Sequence, residues 1–101
     1  MAVVIVQYRV KEGQEERNAE LVRAVCAELS VRRPEGFRYA TFWLEDSHTF
    51  VHVAVTEGEV PFPLAEMAAF REFKRELPDR CEWGPERSPS EVVGSYRLLA
   101  V

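Results

Sequence analysis

The segment 37–56, FRYATFWLEDSHTFVHVAVT, predicts a β-hairpin that is apolar on both faces. With the turn centred on Asp46 and Ser47, the two-residue period of a strand sorts the side chains into two sets. One face carries Phe42, Leu44, Val51, Val53 and Val55. The other carries Phe37, Tyr39, Trp43, Phe50 and Ala54, joined by Thr41 and His52. An antiparallel sheet normally leaves one polar face to water, so both faces of this sheet must be covered.

Length and composition indicate one globular domain, 1–101. The chain has 101 residues, 47% of them hydrophobic and 30% charged, with a net charge of -4. An acidic chain is a poor partner for nucleic acid phosphates and for anionic membranes, so we expect it to bind neither. The first charge follows the short apolar run 2–6, which is unlike a signal peptide. Two widely spaced cysteines suit reduced thiols, so we predict a cytoplasmic protein.

The remaining segments alternate between strand and helix patterns. A strand is predicted over 2–10, followed by a helix that starts near Gln14 and ends at Arg32 and Arg33. Beyond the hairpin, the prolines at 61 and 63 open a second helical pattern that extends to Leu77. The proline-rich stretch 78–90 predicts a loop, and 92–101 the last strand.

This βαββαβ order predicts an α+β, ferredoxin-like fold, with a four-stranded antiparallel sheet and both helices on one face. Two helices cover one face only. We assign the aromatic face, which holds His52, to contact with a second copy of the chain.

Two functional patterns are set aside. The stretch EGFRYATF at 35–42 partly matches the RNP1 octapeptide of RNA-recognition motifs, but Glu35 replaces its basic first residue. The size and strand order also resemble acylphosphatases, whose activity requires an arginine in a phosphate-binding loop after strand one and an asparagine on the sheet. The loop here is Lys11-Glu12-Gly13-Gln14, and the single asparagine, Asn18, falls in the first helix.

Over most of its length the chain resembles the antibiotic-biosynthesis-monooxygenase-like branch of the dimeric α/β-barrel superfamily. The matching features are the Lys11-Glu12-Gly13 turn after strand one, the Pro34-Glu35-Gly36 step before strand two, and the paired aromatics in AFREF at 69–73. The resemblance implies that two sheets pack face to face in a homodimer, with a ligand pocket in the barrel or between sheet and helices. Haem-degrading relatives use a histidine in the second helix, and 61–77 contains none.

The candidate binding residues are Gln7, Arg9, Tyr39, Thr41, Trp43 and His52, and His52 is also the candidate catalytic residue. A shielded histidine can act as an acid or base near neutral pH. No pattern anchors a flavin or a metal, so we expect no cofactor.

The sequence leaves open whether the protein is an enzyme. The resemblance favours a dimer that binds a small apolar or aromatic molecule. One alternative is a cofactor-independent monooxygenase, or a related enzyme, that acts on an aromatic or polyketide-like substrate with His52 as base. The other is a structural or regulatory homodimer without ligand.

Overall fold

The chain folds into one antiparallel sheet with its helices on one face, which confirms the predicted ferredoxin-like α+β fold. The computed structural model describes residues 1–45, 47–58 and 63–99. Four strands pair in the order β2-β3-β1-β4. They are β1 (Ala2–Val10), β2 (Phe37–Trp43), β3 (Thr49–Thr56) and β4 (Cys81–Ser90). The helices are α1 (Glu15–Arg32), α2 (Ala68–Arg75) and α3 (Leu77–Arg80), with a 3₁₀ turn at Pro63–Glu66.

Helix α1 matches its predicted bounds. It begins with two acidic residues in its first turn, which suit the positive end of a helix, and it buries Leu21, Val22 and Val25 against the sheet. Its end is closed by Arg33 in the left-handed conformation, with the Arg33 N–H donating to Leu29 O at 2.8 Å. No helix in the described part of the chain is long and apolar enough to span a bilayer.

The hairpin also forms as predicted, with Thr41 opposite His52 across β2 and β3. Asp46, at the predicted turn, lies outside the described residues. The two strands keep an unbroken register from Phe37 opposite Thr56 to Trp43 opposite Phe50. This register places the hydroxyl of Thr41 and the ring of His52 on the same face of the sheet.

The second helical region is more broken than its pattern predicts. Pro61 lies outside the described residues, and the 3₁₀ turn is separated from α2 by Met67, whose backbone is extended. Met67, which separates the 3₁₀ turn from α2, is fully buried and packs in the hydrophobic core. Behind it, the carboxylate of Glu28 on α1 accepts a hydrogen bond of 2.9 Å from the Ala69 N–H. This contact satisfies one of the free N–H groups at the start of α2.

The predicted loop at 78–90 and the predicted strand at 92–101 are both wrong. Pro78 lies in the first turn of α3, a position that tolerates proline, and the last strand is Cys81–Ser90. Because β4 is at the edge of the sheet and pairs with β1 alone, its prolines do not remove a ladder hydrogen bond on a second side. Residues 91–99 follow as irregular chain with exposed apolar side chains, and 100–101 lie outside the description.

The assignment of the two sheet faces is reversed. The aromatic face of the hairpin packs under the helices, where Phe50 joins Tyr8 and Val10 of β1 in the core cluster. The face with no helix against it is the aliphatic one. By strand register it carries Val3, Ile5, Gln7, Arg9, Phe42, Val51 and Val53. The uncovered face therefore exists, but His52 is on the other side of the sheet.

Gly84 permits the close approach of β4 to β1. It has φ +82°, and a Cβ there would lie 2.8 Å from Gln7 O and 3.1 Å from Tyr8 Cα, beside an irregularity in the strand register. Both atoms belong to backbone, which has little freedom to move away.

We predict that Gly84→Ala destabilises the fold by more than its backbone angle alone requires. Gly13→Ala is the matched control, because Gly13 has φ +90° and a Cβ added there would meet no atom within 4 Å. The clash should lower the free energy of unfolding by about 1–3 kcal/mol more at Gly84 than at Gly13. Urea denaturation measures both, and equal losses would show that the close approach is unimportant.

Candidate functional site

A cavity of ≈ 370 Å³ lies between the helix-covered face of the sheet and the helices above it. Its walls are mainly aliphatic and aromatic, and they include three residues of a hydrogen-bonded cluster: Tyr8, Tyr39 and His52. The apolar lining consists of Val4, Val6, Ala54, Leu64, Ala65, Phe70, Phe73, Leu77 and Pro85. A largely apolar cavity with a few convergent polar groups is the usual form of a small-molecule site.

His52 is the centre of the polar cluster. Its Nε2 is 2.7 Å from the Tyr8 hydroxyl, and its Nδ1 is 3.0 Å from Thr41 Oγ1 and in short hydrogen-bond contact with the Tyr39 hydroxyl. The ring itself is 5% exposed and packs against Phe73, with the ring centroids 5.5 Å apart. Both ring nitrogens are therefore occupied by protein groups, and the histidine reaches the cavity beside Tyr39.

The hydrogen bonds continue behind Tyr8 into the core. Asn18 Nδ2 donates to the Tyr8 hydroxyl at 2.8 Å, and both residues are fully buried. Arg80 in turn donates to Asn18 Oδ1 from Nε at 3.3 Å and from a terminal nitrogen at 3.1 Å. It also donates to Phe73 O at 2.9 Å. A continuous chain of hydrogen bonds thus links α3, α1, β1, β3 and β2.

Burial shifts the titration of this cluster strongly. Desolvation lowers the pKa of His52 from 6.5 to about 4, so the imidazole is neutral at pH 7. Desolvation also raises the pKa of Tyr39 to about 12, although its hydrogen bond with Thr41 opposes the shift. The pKa of Tyr8 is raised by burial as well. At neutral pH, His52, Tyr39 and Tyr8 are therefore uncharged donors and acceptors.

Two exposed cations line the same cavity. Lys74 from α2 and Arg87 from β4 are both solvent-accessible, and they approach the cavity from its helix and strand walls. They give one part of an otherwise apolar space a positive potential. Within the described ranges, no three His, Cys, Asp or Glu side chains form a group that could hold a metal ion.

The structure brings together three of the six predicted site residues: Tyr39, Thr41 and His52. Trp43 lies on the same face but nearer the turn, where its ring stacks on Phe50 and its Nε1–H donates to Ser47 O at 2.8 Å.

Gln7 and Arg9 lie on the opposite face. Gln7 pairs with Val51 rather than facing His52, and Arg9 forms an exposed ion pair with Glu82 at 3.5 Å. The structure therefore does not place these two side chains in the cavity.

Sequence reasoning missed Tyr8, Asn18 and Arg80. Asn18 had a usable signal, because it lies three, four and seven residues before Leu21, Val22 and Val25 on the buried stripe of α1. An asparagine in such a stripe needs a buried partner. Arg80 gave no comparable signal, since it follows Pro78 in a segment that was predicted to be a loop.

Solved structures share this fold. A structure described as an antibiotic biosynthesis monooxygenase aligns with TM-score 0.75 and 14% identity over 93% of this chain and 100% of its own. A mutant of SnoaB, a cofactor-independent oxygenase from Streptomyces nogalater, aligns with TM-score 0.70 and 16% identity over 95% and 96% of the two chains. Rv0793 from Mycobacterium tuberculosis aligns with TM-score 0.72 and 12% identity over 93% and 96%.

Neither a protein-family model nor a curated protein matches the sequence. At these low identities the structural likeness establishes architecture and leaves the chemistry to the residues of this chain. The chain has the ferredoxin-like fold of the antibiotic-biosynthesis-monooxygenase-like structures.

Proposed function

We propose that this protein binds a small aromatic or apolar molecule in the cavity between its sheet and its helices. The observation that carries the proposal is that Tyr39 and His52, which are hydrogen-bonded to each other, both line a mainly apolar space of ≈ 370 Å³. Phe70 and Phe73 supply aromatic surface for a planar ligand. Lys74 and Arg87 favour a ligand that carries an acidic group on its periphery.

The cavity counts against the ligand-free alternative. That alternative requires side chains to fill the space beneath the helices, and a pocket of ≈ 370 Å³ is left there. This space is open to solvent on one side, and its volume accommodates a molecule of two fused rings. Ligand binding gives the space a role.

Proton transfer is a second candidate function, favoured by the state of His52. A neutral imidazole whose pKa lies near 4 carries a single transferable proton and one acceptor nitrogen. Its two nitrogens contact Tyr8 on one side and Tyr39 on the other, so a proton would reach a ligand through the Tyr39 hydroxyl. SnoaB is described as a cofactor-independent oxygenase, and an oxygenation by molecular oxygen that begins with removal of a substrate proton would use such a transfer.

We further propose a homodimer that covers the open face of the sheet. Phe42 and Leu44 are 52% and 44% exposed there, and Trp83 on β4 is 48% exposed. Residues 91–99 carry three further exposed apolar side chains, Val93, Tyr96 and Leu98, each more than three-quarters exposed. A second copy would bury both sets of apolar side chains. Gln7 and Arg9 would then lie in the interface instead of in the ligand site.

We predict that Ala65→Trp blocks ligand entry. Ala65 is exposed and lines the cavity, so an indole there occupies the space without disturbing the core. With 2-naphthoate as the probe, titration calorimetry should show at least a tenfold loss of affinity relative to the unmodified chain, on the order of 1.4 kcal/mol or more. Ala68→Trp is the control, because Ala68 is exposed at the start of α2 but does not line the cavity. Equal effects of the two variants would contradict the assigned site.

We predict that Phe42→Glu shifts the protein from dimer to monomer. Burying a carboxylate in an apolar interface without a partner costs several kcal/mol. This cost is larger than the free energy of association that the contacts of one side chain contribute in a small interface. Sedimentation velocity measures the shift. Val31→Glu on the outer end of α1 is the control, because Val31 is 83% exposed and far from the open face. A monomeric unmodified chain at micromolar concentration would refute the dimer.

We predict that His52 makes the fold sensitive to acid. The unfolded chain binds a proton near pH 6.5, whereas the folded chain resists it until about pH 4. Stability from this group is thus complete above pH 6.5 and is lost as the pH falls towards 4. The loss should be on the order of 3 kcal/mol. Denaturation of the unmodified chain and of His52→Gln across this window isolates the effect, since the carboxylate contributions cancel. A constant difference between the two curves would contradict it.

A further inference from the structure

The buried hydrogen-bond chain has a direction that starts at Arg80. A guanidinium has donors only, and two of its nitrogens point at one atom of the Asn18 amide, at 3.3 and 3.1 Å. That atom must be the oxygen. The amide NH₂ therefore faces the other way, towards the Tyr8 hydroxyl at 2.8 Å, and the amide cannot be flipped without opposing two donors.

The same donor-to-acceptor direction continues from Tyr8 to His52. Its oxygen accepts from Asn18, and its own hydrogen has the Nε2 of His52 at 2.7 Å as an acceptor. Tyr8 is fully buried, so a hydroxyl hydrogen turned away from Nε2 would lack water and would cost about 1–3 kcal/mol. Nε2 is thus the acceptor of the imidazole. A neutral imidazole with an unprotonated Nε2 carries its hydrogen on Nδ1.

The Nδ1–H then determines what Tyr39 does. It points at the hydroxyl oxygens of Tyr39 and Thr41, which accept from it. The hydrogen bond between Tyr39 and Thr41 has the Thr41 hydroxyl as donor, since it lowers the pKa of Tyr39, so the Tyr39 oxygen accepts from both neighbours and its own hydrogen is left for a group in the cavity. Tyr39 lines the cavity and Thr41 does not, so the open donor of the chain is the Tyr39 hydroxyl.

We propose that Arg80, Asn18 and Tyr8 are positioning residues that hold His52 in the Nδ1–H tautomer. The Tyr39 hydroxyl thereby presents a hydrogen-bond donor to the cavity and selects ligands with an acceptor oxygen, such as an aryl ketone. This inference rests on the proposed ligand site and names the chemical group that the site recognises. A ligand that offers only a donor, or no polar atom, leaves the Tyr39 hydrogen unpaired.

The direction can be reversed by one nearly isosteric substitution, Asn18→Asp. The introduced carboxylate has no donor, and it accepts from Arg80 and from Tyr8 alike. Tyr8 then turns its hydrogen away from His52, whose Nε2 must become the donor. Nδ1 becomes the acceptor and takes the hydrogen of Tyr39, so the cavity loses its donor. The charge of Arg80 lies beside the new carboxylate and keeps it ionised.

Two measurements test the proposal. The ¹⁵N shifts of His52 in long-range ¹H–¹⁵N spectra report which ring nitrogen is protonated, and titration calorimetry compares two probes of the same shape. The probes are 2-acetonaphthone and 2-isopropenylnaphthalene, in which a CH₂ replaces the carbonyl oxygen. In the unmodified chain we expect the Nδ1–H tautomer and about tenfold tighter binding of the ketone. In Asn18→Asp we expect the Nε2–H tautomer and equal binding of the two probes.

Tyr39→Phe is the second variant, on a half-buried residue whose loss leaves the core intact. It should abolish the ketone preference while His52 keeps the Nδ1–H tautomer. An Nε2–H tautomer in the unmodified chain, or a ketone preference that survives in Tyr39→Phe, would overturn the inference. If neither probe binds the unmodified chain, the proposed ligand site fails for these ligands, whereas the tautomer assignment is still decided by the ¹⁵N shifts.

Discussion

The hydrogen-bond chain from Arg80 to Tyr39 is the interaction on which the arrangement of this protein most depends. Asn18 and Tyr8 are fully buried, and His52 and Arg80 are each 5% exposed, so each polar group needs a protein partner. They find those partners only when α1, α3 and the three strands β1, β2 and β3 occupy their observed positions. An apolar core tolerates small displacements of its helices and strands, whereas a chain of buried hydrogen bonds does not. The polar residues therefore specify the geometry that the apolar residues stabilise.

Arg80 illustrates the constraint most clearly. Within the described residues it forms no ion pair, and its charge is met by the Asn18 and Phe73 carbonyl oxygens and by the face of the Phe73 ring, 5.5 Å away. A buried guanidinium whose hydrogen bonds all go to carbonyl oxygens depends on their orientation, because each acceptor must point at it. This requirement holds Asn18 in one orientation and anchors the start of β4, since Arg80 O also accepts from the Lys11 N–H at 2.8 Å.

The parts of the fold that sequence reasoning recovered are those with a local cause. The alternation in the hairpin and its turn together determine which residues are opposite, so the pairing of Thr41 with His52 was predictable. The end of α1 was predictable from Arg33 and Pro34. The last strand was missed because its prolines argue against a strand, and only its place at the edge of the sheet makes them acceptable. Strand order depends on the whole chain, so the edge position of residues 81–90 cannot be read from their own sequence.

The candidate site was recovered only in part for the same reason. Thr41, Tyr39 and His52 belong to one hairpin, so their proximity follows from local register. Tyr8 and Asn18 reach His52 from 44 and 34 positions away in the chain, and their contact requires knowing which face the helices cover. Both faces of the hairpin are apolar, and hydrophobic pattern alone does not rank them. In the structure the helices cover the aromatic face, whose larger side chains have more apolar area to bury than valines do.

From the sequence, the candidate ligand site and the contact with a second copy were both assigned to the aromatic face. In the structure, the candidate site and the face without helices are on opposite sides of the sheet. The cavity opens on the helix-covered side, and the surface without helices is on the opposite side, with the thickness of the sheet between them. Residues of β2 and β3 alternate between the two, so that Phe42 follows Thr41 and Val51 precedes His52. The proposed ligand site and the proposed dimer face would therefore be formed by adjacent residues whose side chains point in opposite directions. A substitution on the open face reaches the site only by moving the backbone of these strands, and a well-paired sheet resists that motion. In the proposed dimer, association would not be needed to complete the cavity, and it would instead help to hold β2 and β3 in the register on which the contacts of His52 depend.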